Sequence, residues 1–282
     1  MQHVEFFHKE HFENKYHRVA PAESLKSFID FFWETDFDTL WEKYPKGFSD
    51  ALFPNTGYTY LINLANPFTM QVGENKFEMR TDGFLPRHKA IECFHQPGNK
   101  LFGIKFRVSP VLLEKKVNFG EYRDFIFPLS YLVDPKVIAA IKKAASFKER
   151  VAVLNQYFEQ LVKSYQGSLK PVETVTAILD YCDLNNDFAH PVEDFAKRYG
   201  ISARTLQRYF ETATSLSSKK VLQIMRIRKA VAHITESPGT FRYSDYGYYD
   251  QSHFYKHLMQ FLEKKTLKRL QLHLKLLELL HK

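Results

Sequence analysis

Hydrophobic and polar residues alternate in two different ways along the chain. Over roughly the first 130 residues, short aromatic and β-branched runs such as GYTYLINLA and KLFGIKFRV are separated by Asn, Gly and Pro, which is typical of antiparallel strands joined by turns. One hairpin is expected within VGENKF, with its turn at Glu74 to Lys76. From Asp134 onward, apolar side chains recur at helical spacing. The pattern predicts an α+β protein: an N-terminal antiparallel β barrel or sandwich with flanking helices, followed by an all-α region.

A polar segment that contains Gly and Pro, KSYQGSLKP (Lys163 to Pro171), separates these two regions. A length of 282 residues suggests two domains. We therefore expect a boundary near Gly167. The β-rich domain takes residues 1–166, with its helical part at about 134–164, and the all-α domain takes residues 172–282.

The segment VEDFAKRYGISARTLQRYF (Val192 to Phe210) predicts a helix, a glycine turn at Gly200 and a second helix with Ser202 as N-cap. In that second helix the apolar residues Ala203, Leu206 and Phe210 share one face. The opposite face carries Arg204, Gln207 and Arg208. Arg can donate two hydrogen bonds to guanine and Gln can pair with adenine, although the two arginines could equally be an ordinary basic surface pair.

A second segment of the same kind, FRYSDYGYYDQSHFYKHLMQF (Phe241 to Phe261), has Gly247 at the turn and Asp250 as the expected N-cap. Phe254, Leu258 and Phe261 form its inward stripe, and the outward residues are Gln251, Ser252, Tyr255 and Lys256. Between the two segments, KKVLQIMRIRKAVAHI predicts one long helix with a buried face, listed as Val221, Ile224, Ile227, Val231 and Ile234. Its length of about 24 Å suits a rigid spacer between two helices that read neighbouring major-groove faces.

RIRKAVAHI followed by GYYDQSHFYKHL resembles the C-terminal DNA-binding domain of the AraC/XylS family of bacterial transcription regulators. The resemblance extends from Val172 to Phe261. It implies seven helices, with two helix-turn-helix units beside a central helix. In the N-terminal part, LFPNTGYTYLINL and LFGIKFRVSP are similar to the sensor-like domains attached to some of these regulators, which implies a sensor or dimerisation role.

The resemblance also implies site residues. Those expected to read bases are Arg204, Thr205, Gln207, Arg208, Gln251, Ser252, His253 and Lys256. Phosphate contacts are expected from Lys197, Lys219 and Lys220, and from backbone amides at the helix starts near Ser202 and Asp250, because helix N-termini attract anions. The alternative for each lysine is a purely solvated side chain.

The sequence departs from the family pattern in places. Arg242 and Tyr243 replace an apolar residue and a small alanine, so the first helix of the second unit is expected to be short or tilted. Ser215 and Ser218 stand where Gly and Pro are common. After Phe261, nothing stops a helix from continuing into LKRLQLHLKLLELLHK, whose wide leucine stripe could pack on its own domain, form a dimer contact or lie on a membrane.

Composition agrees with a folded protein that meets nucleic acid. The chain is 44% hydrophobic, with a net charge of +8. Residues 171–282 hold 17 basic and 12 acidic side chains, a net +5. The two cysteines, Cys93 and Cys182, lack paired spacing. The N-terminus has no apolar signal region, and the apolar stretch Ala51 to Gly73 is broken by Pro and Asn, so a cytoplasmic protein without a membrane span is expected.

The expected partners are double-stranded DNA and a small-molecule effector, with RNA polymerase and a second copy of the chain as further partners that the resemblance allows. No cofactor, metal or enzymatic role is expected. The alternative is a metal-dependent cupin-type enzyme with a DNA-binding tail, whose ligands would come from the histidines of the N-terminal part, namely His3, His8, His11, His17, His88 and His95.

Overall fold

The computed structural model describes residues 5–6, 16–35, 37–109, 113, 125–237 and 239–261. Their N-terminal part is built from antiparallel strands. These are β1 (Glu5–Phe6), β2 (Tyr16–Val19), β3 (Ile29–Thr35), β4 (Phe48–Leu52), β5 (Tyr58–Asn63), β6 (Phe68–Val72), β7 (Asn75–Met79), β8 (Gly83–Pro86), β9 (Ile91–His95), β10 (Leu101–Phe106) and β11 (Phe127–Pro128).

The strands form two sheets. One has five strands in the order β1-β4-β9-β6-β7, and the other has six in the order β11-β8-β5-β10-β3-β2. Every paired strand among the described residues runs antiparallel to its neighbour. The predicted α+β class is therefore confirmed.

The six-stranded sheet is covered on both faces, which explains why all positions of β5 and β10 are buried. Leu61 and Leu101 face the five-stranded sheet, in a core with Phe68, Met70 and Ile91. Alternate residues of the same strands, such as Tyr60 and Phe106, belong to a second core that includes the helices. Since neighbouring residues of a strand point to opposite faces, covering both faces requires a continuous apolar run.

The expected hairpin is present, but its turn lies earlier than predicted. Val72 pairs with Asn75 across the turn, so Gly73 and Glu74 make the connection and Lys76 already belongs to β7. The reason is the backbone of Gly73, whose φ of 58° lies in the left-handed region that glycine adopts readily.

The helices follow the sequence pattern closely. They are α1 (Asp38–Lys43), α2 (Pro135–Lys143), α3 (Phe147–Ser164), α4 (Lys170–Asn185), α5 (Val192–Arg198), α6 (Ala203–Thr214), α7 (Ser218–Glu236) and α8 (Gln251–Leu258), with short 3₁₀ turns at Glu23–Leu25, Leu129–Tyr131 and Tyr243–Tyr246. Within the described residues, no helix is long and apolar enough to cross a membrane. The leucine-rich tail after Phe261 lies outside the described residues.

The β-rich and helical parts meet directly. The expected boundary at Gly167 falls between the end of α3 and the start of α4, yet core residues from both sides of it form one continuous cluster. Hydrogen bonds also cross the junction, from Ser109 N to Ala213 O at 2.5 Å and from Thr176 Oγ1 to Ser27 O at 3.2 Å. The division into two domains stays a prediction.

Candidate DNA-binding surface

The first helix-turn-helix has the local geometry that its sequence predicts. Helix α5 ends in a turn at Gly200, whose φ is 63°. The hydroxyl of Ser202 then accepts a hydrogen bond from Thr205 N at 3.1 Å, which caps the N-terminus of α6. Leu206 and Phe210 are buried below. The glycine, the cap and the apolar stripe together set the direction in which α6 leaves the turn.

The outward face of α6 divides into two kinds of side chain. Arg204 and Arg208 are exposed, whereas Gln207 is only half exposed. Gln207 Nε2 donates to Glu211 Oε1 at 2.8 Å, and its Oε1 accepts from Ser218 Oγ at 2.8 Å. Gln207 therefore ties α6 to the first turn of α7. Among the described residues, no hydrogen bond or ion pair of Arg204 or Arg208 makes such a connection between elements.

The remaining polar residues of the first unit are placed less uniformly. Thr205 is half-buried and its Oγ1 accepts from Ser202 Oγ at 3.0 Å. Lys197 has a side chain that is 83% exposed, with Nζ 3.9 Å from Asp194 Oδ1. Lys219 is exposed at the start of α7.

The second unit has no full first helix. A four-residue 3₁₀ turn, Tyr243–Tyr246, stands in its place and ends at Gly247, whose φ is 65°. The prediction that this helix is short is confirmed. Asp250 caps α8, because its carboxylate accepts from His253 N at 2.7 Å.

Helix α8 presents a polar outer face. Ser252, His253 and Lys256 are exposed, and Gln251 is half-buried. Phe254 and Leu258 on its inner face, and Phe261 just beyond its C-terminal end, are buried, as predicted. The carboxylate of Asp250 already occupies one backbone amide at the helix start, so an incoming phosphate would meet this negative charge as well as the remaining amides.

Lys220 lies differently from Lys219. Its Nζ is 4.2 Å from the centroid of the Phe261 ring, and burial lowers the pKa of its amine. Desolvation disfavours the charged form of a lysine. A cation over an aromatic face is attracted to the ring, so Lys220 packs against the end of the second unit in this structure.

Helix α7 is buried on two sides. The predicted residues Val221, Ile224, Ile227, Val231 and Ile234 are all buried. A second line of buried residues consists of Leu222, Met225, Arg228 and Ala232. The last three border a cavity that Asn55 and Thr56 of the β-rich part also line. Arg228 Nη1 donates to the backbone oxygens of Phe53 at 3.2 Å and Pro54 at 2.7 Å.

Sequence reasoning missed Arg228 as a contact between the two parts. One signal could have found it, since Arg228 falls within the 3-3-4 spacing of that second line. A charged residue in an apolar stripe needs buried partners.

A small cavity lies beside this contact. Its volume is about 240 Å³, and it is lined by Asn55, Thr56, Asp183, Met225, Arg228, Lys229 and Ala232. Lys229 Nζ is 3.5 Å from Asp183 Oδ1. Among the described residues, the side-chain nitrogen of Asn55 has no hydrogen-bond partner, although it is buried. The lining of the cavity therefore combines the Lys229–Asp183 ion pair with the guanidinium of Arg228, which is bonded to backbone oxygens.

The histidines considered for a metal site lie in separate surroundings. His88 packs its ring edgewise on Tyr58, and His95 lies among aromatic rings with Nδ1 2.8 Å from Asn99 Oδ1. His17 is exposed, while His3, His8 and His11 lie outside the described residues. No group of three His, Cys, Asp or Glu side chains suited to a metal ion occurs in the described part of the chain.

The chain was compared with known proteins. No family model matches it, and no curated protein is similar to it in sequence. Among solved structures, ToxT from Vibrio cholerae is 10% identical, with a TM-score of 0.45 over 92% of this chain and 99% of that one. A ToxT structure from strain O395 is 12% identical, with a TM-score of 0.43 over 87% and 99%.

A third similar structure, wild-type ToxT from strain SCE256 with unsaturated fatty acid bound, is 11% identical, with a TM-score of 0.42 over 80% of this chain and 91% of that chain. Values this low assign neither a family nor a function to the chain.

Proposed function

We propose that this chain is a sequence-specific, DNA-binding transcription regulator of the AraC/XylS type. The observation that carries the proposal is the pair Arg204 and Arg208, exposed on a capped helix that follows a glycine turn. Arginine at such positions reads guanine through two parallel hydrogen bonds. A second capped helix, α8, follows α7 in the chain and presents Ser252, His253 and Lys256 as exposed side chains.

In this proposal the two helices enter neighbouring major-groove segments. Helix α7 holds them apart, and its 19 residues correspond to about 28 Å. Thr205, Gln207 and Gln251 join the base-reading set, which for Gln207 requires release from Glu211 and Ser218. Lys197 and Lys219, with the amides near Ser202 and Asp250, contact phosphates. Lys220 joins them only when it leaves the ring of Phe261.

The β-rich part, with a boundary near Gly167, serves as the regulatory domain in this proposal. A small-molecule effector binds in the cavity lined by Asn55 and Arg228. Because Arg228 belongs to the same helix that carries the DNA-binding units, a ligand there can bias how the two parts are arranged. RNA polymerase and a second copy of the chain are its proposed protein partners, and the cytoplasm is its proposed compartment.

Selection from a random duplex library at near-physiological salt tests the proposal. Enrichment of two short motifs about 10 bp apart, one helical turn, is the expected result. A single motif would remove the second reading helix from the proposal. Absence of enrichment, with and without a cell extract that supplies effectors, would refute the regulator assignment.

A further inference from the structure

The second unit is held to α7 by a chain of aromatic and cationic side chains, which we name the aromatic clamp. Its members are Lys220 and Arg226 of α7, Tyr248, His257 of α8, and Phe261. The guanidinium carbon of Arg226 lies 3.9 Å from the centroid of the Tyr248 ring. Tyr248 Oη is 2.6 Å from His257 Nδ1, and the His257 and Phe261 rings are 5.2 Å apart.

Two cationic side chains of α7 lie at the two ends of the aromatic clamp. Arg226 covers one end, at Tyr248, and Lys220 covers the other, at Phe261. Tyr248 and His257 are both buried. Cation–aromatic contacts gain strength when desolvated. A buried hydrogen bond holds its two side chains in one relative orientation, because its loss leaves an unsatisfied polar atom.

The protonation of the pair follows from its surroundings. Burial raises the pKa of Tyr248 to about 12 and lowers the pKa of His257 to about 4. At neutral pH the phenol is therefore protonated and the imidazole is neutral. The bond between Tyr248 Oη and His257 Nδ1 therefore joins two neutral groups, and the tautomer of the imidazole sets which of them donates.

Geometry explains why such a device is needed here. In an ordinary helix-turn-helix, the first helix supports the second, but here only the 3₁₀ turn Tyr243–Tyr246 precedes α8. We propose that the aromatic clamp orients α8 for base reading, with Tyr248 and His257 as positioning residues. This inference rests on the proposed function.

Tyr248→Phe tests it, because the change removes one hydroxyl and keeps the ring. The matched control is Tyr181→Phe, since Tyr181 also lies under an arginine, with Arg198 Cζ 4.5 Å from its ring centroid, but belongs to α4. In selection from a random duplex library, Tyr248→Phe should lower enrichment of the second half-site about fivefold, the value of one hydrogen bond. Enrichment of the first half-site should not change.

His257→Phe and the double variant complete a thermodynamic cycle. The double variant should lose no more than the more affected single variant, because both changes remove the same hydrogen bond. Equal loss at both half-sites, or no loss at either, would overturn the inference.

Amide hydrogen exchange supplies a readout that needs no DNA. Tyr248→Phe should raise exchange in α8 while exchange in α6 stays as in the unmodified protein. If the unmodified protein selects no DNA at all, the proposed function fails and the reading role fails with it. Hydrogen exchange then tests whether the clamp orients α8. Similar changes of the exchange rates in α6 and α8, or no change in either helix, would contradict that role.

Discussion

Arg204 and Arg208 differ from Gln207 in a way that matters for base recognition. The arginines are exposed, and within the described part of the chain their donors can meet an incoming base edge without breaking a contact between helices. Gln207 must first give up hydrogen bonds at both ends of its amide. Since each such bond contributes about 1 kcal/mol, the arginines are expected to provide most of the specificity of α6.

Replacing Arg208 with Ala should weaken binding to the selected site by about 1–3 kcal/mol and relax preference at one base pair. Lys219→Ala should instead weaken all sequences alike and reduce the slope of log K against log salt by about 1. Titrations of specific and random duplexes at several salt concentrations separate the two effects. Arg80→Ala is the control, as an exposed arginine between β7 and β8. Equal losses on both duplexes for Arg208→Ala would disprove its base-reading role.

Ser215 ends α6 with a φ of 59°, a conformation that costs an L-residue about 1–2 kcal/mol. Glycine carries no such cost, although it has more freedom in the unfolded chain. Ser215→Gly should therefore raise the free energy of unfolding by about 0.5–1 kcal/mol in urea denaturation. Ser217→Ala should have the opposite effect on stability. It removes the hydroxyl that caps α7 at Lys220 N and should lower the free energy of unfolding by about 1 kcal/mol. A loss of stability in Ser215→Gly would show that the serine side chain, rather than its backbone, matters.

At the scale of elements, local signals carried most of the prediction. The caps Ser202 and Asp250 and the turns at Gly200 and Gly247 were predictable because each depends on residues within one turn. The aromatic clamp was not predictable in this way. Tyr248 belongs to a run of aromatic residues, and nothing in that run distinguishes the ring that meets His257 from exposed Tyr249.

The docking of α8 should weaken in acid. The folded-state pKa of His257 is about 4, below its ordinary value near 6.5, because burial and the neighbouring Arg226, Lys220 and His253 disfavour a further charge. As the pH falls, His257 is therefore protonated in the unfolded chain before it is protonated in the folded one. The contribution of neutral His257 to folding stability is complete above pH 6.5 and is lost as the pH falls toward 4.

Urea denaturation at pH 7, 6 and 5 measures this effect. The unmodified protein should lose more stability over that interval than His257→Phe, which cannot bind the proton. Tyr248 remains protonated throughout, since its pKa is about 12. Identical pH dependence in the two proteins would exclude His257 as the titrating group.

At the scale of the whole molecule, the two parts are joined by contacts that no local pattern encodes. Arg228 reaches backbone oxygens 174 and 175 positions earlier in the chain. The amphipathic pattern correctly placed one buried face on α7, but the second face depends on what packs there. The six-stranded sheet is a second example, because burial of β5 on both faces depends on the helices that cover it.

Arg228→Ala should loosen the junction between the two parts. Arg228 as a whole residue is only 6% exposed, and its removal leaves the oxygens of Phe53 and Pro54 without these bonds, at a cost of about 2 kcal/mol or more. We expect a lower free energy of unfolding and faster proteolysis in the segment 165–169, which connects α3 to α4. Lys219→Ala, which changes an exposed cation on the same helix, should alter the free energy of unfolding by no more than about 0.5 kcal/mol. It should leave the rate of proteolysis unchanged.

DNA-binding measurements on Arg228→Ala show whether the junction only holds the two parts together or also transmits a regulatory signal. If α7 transmits the state of the cavity, Arg228→Ala should alter DNA affinity although Arg228 lies away from the reading faces of α6 and α8, and added effector should no longer change that affinity. Loss of stability with unchanged affinity and an intact effector response would mean that Arg228 only holds the two parts together. The effector would then have to act on the DNA-binding units by another route.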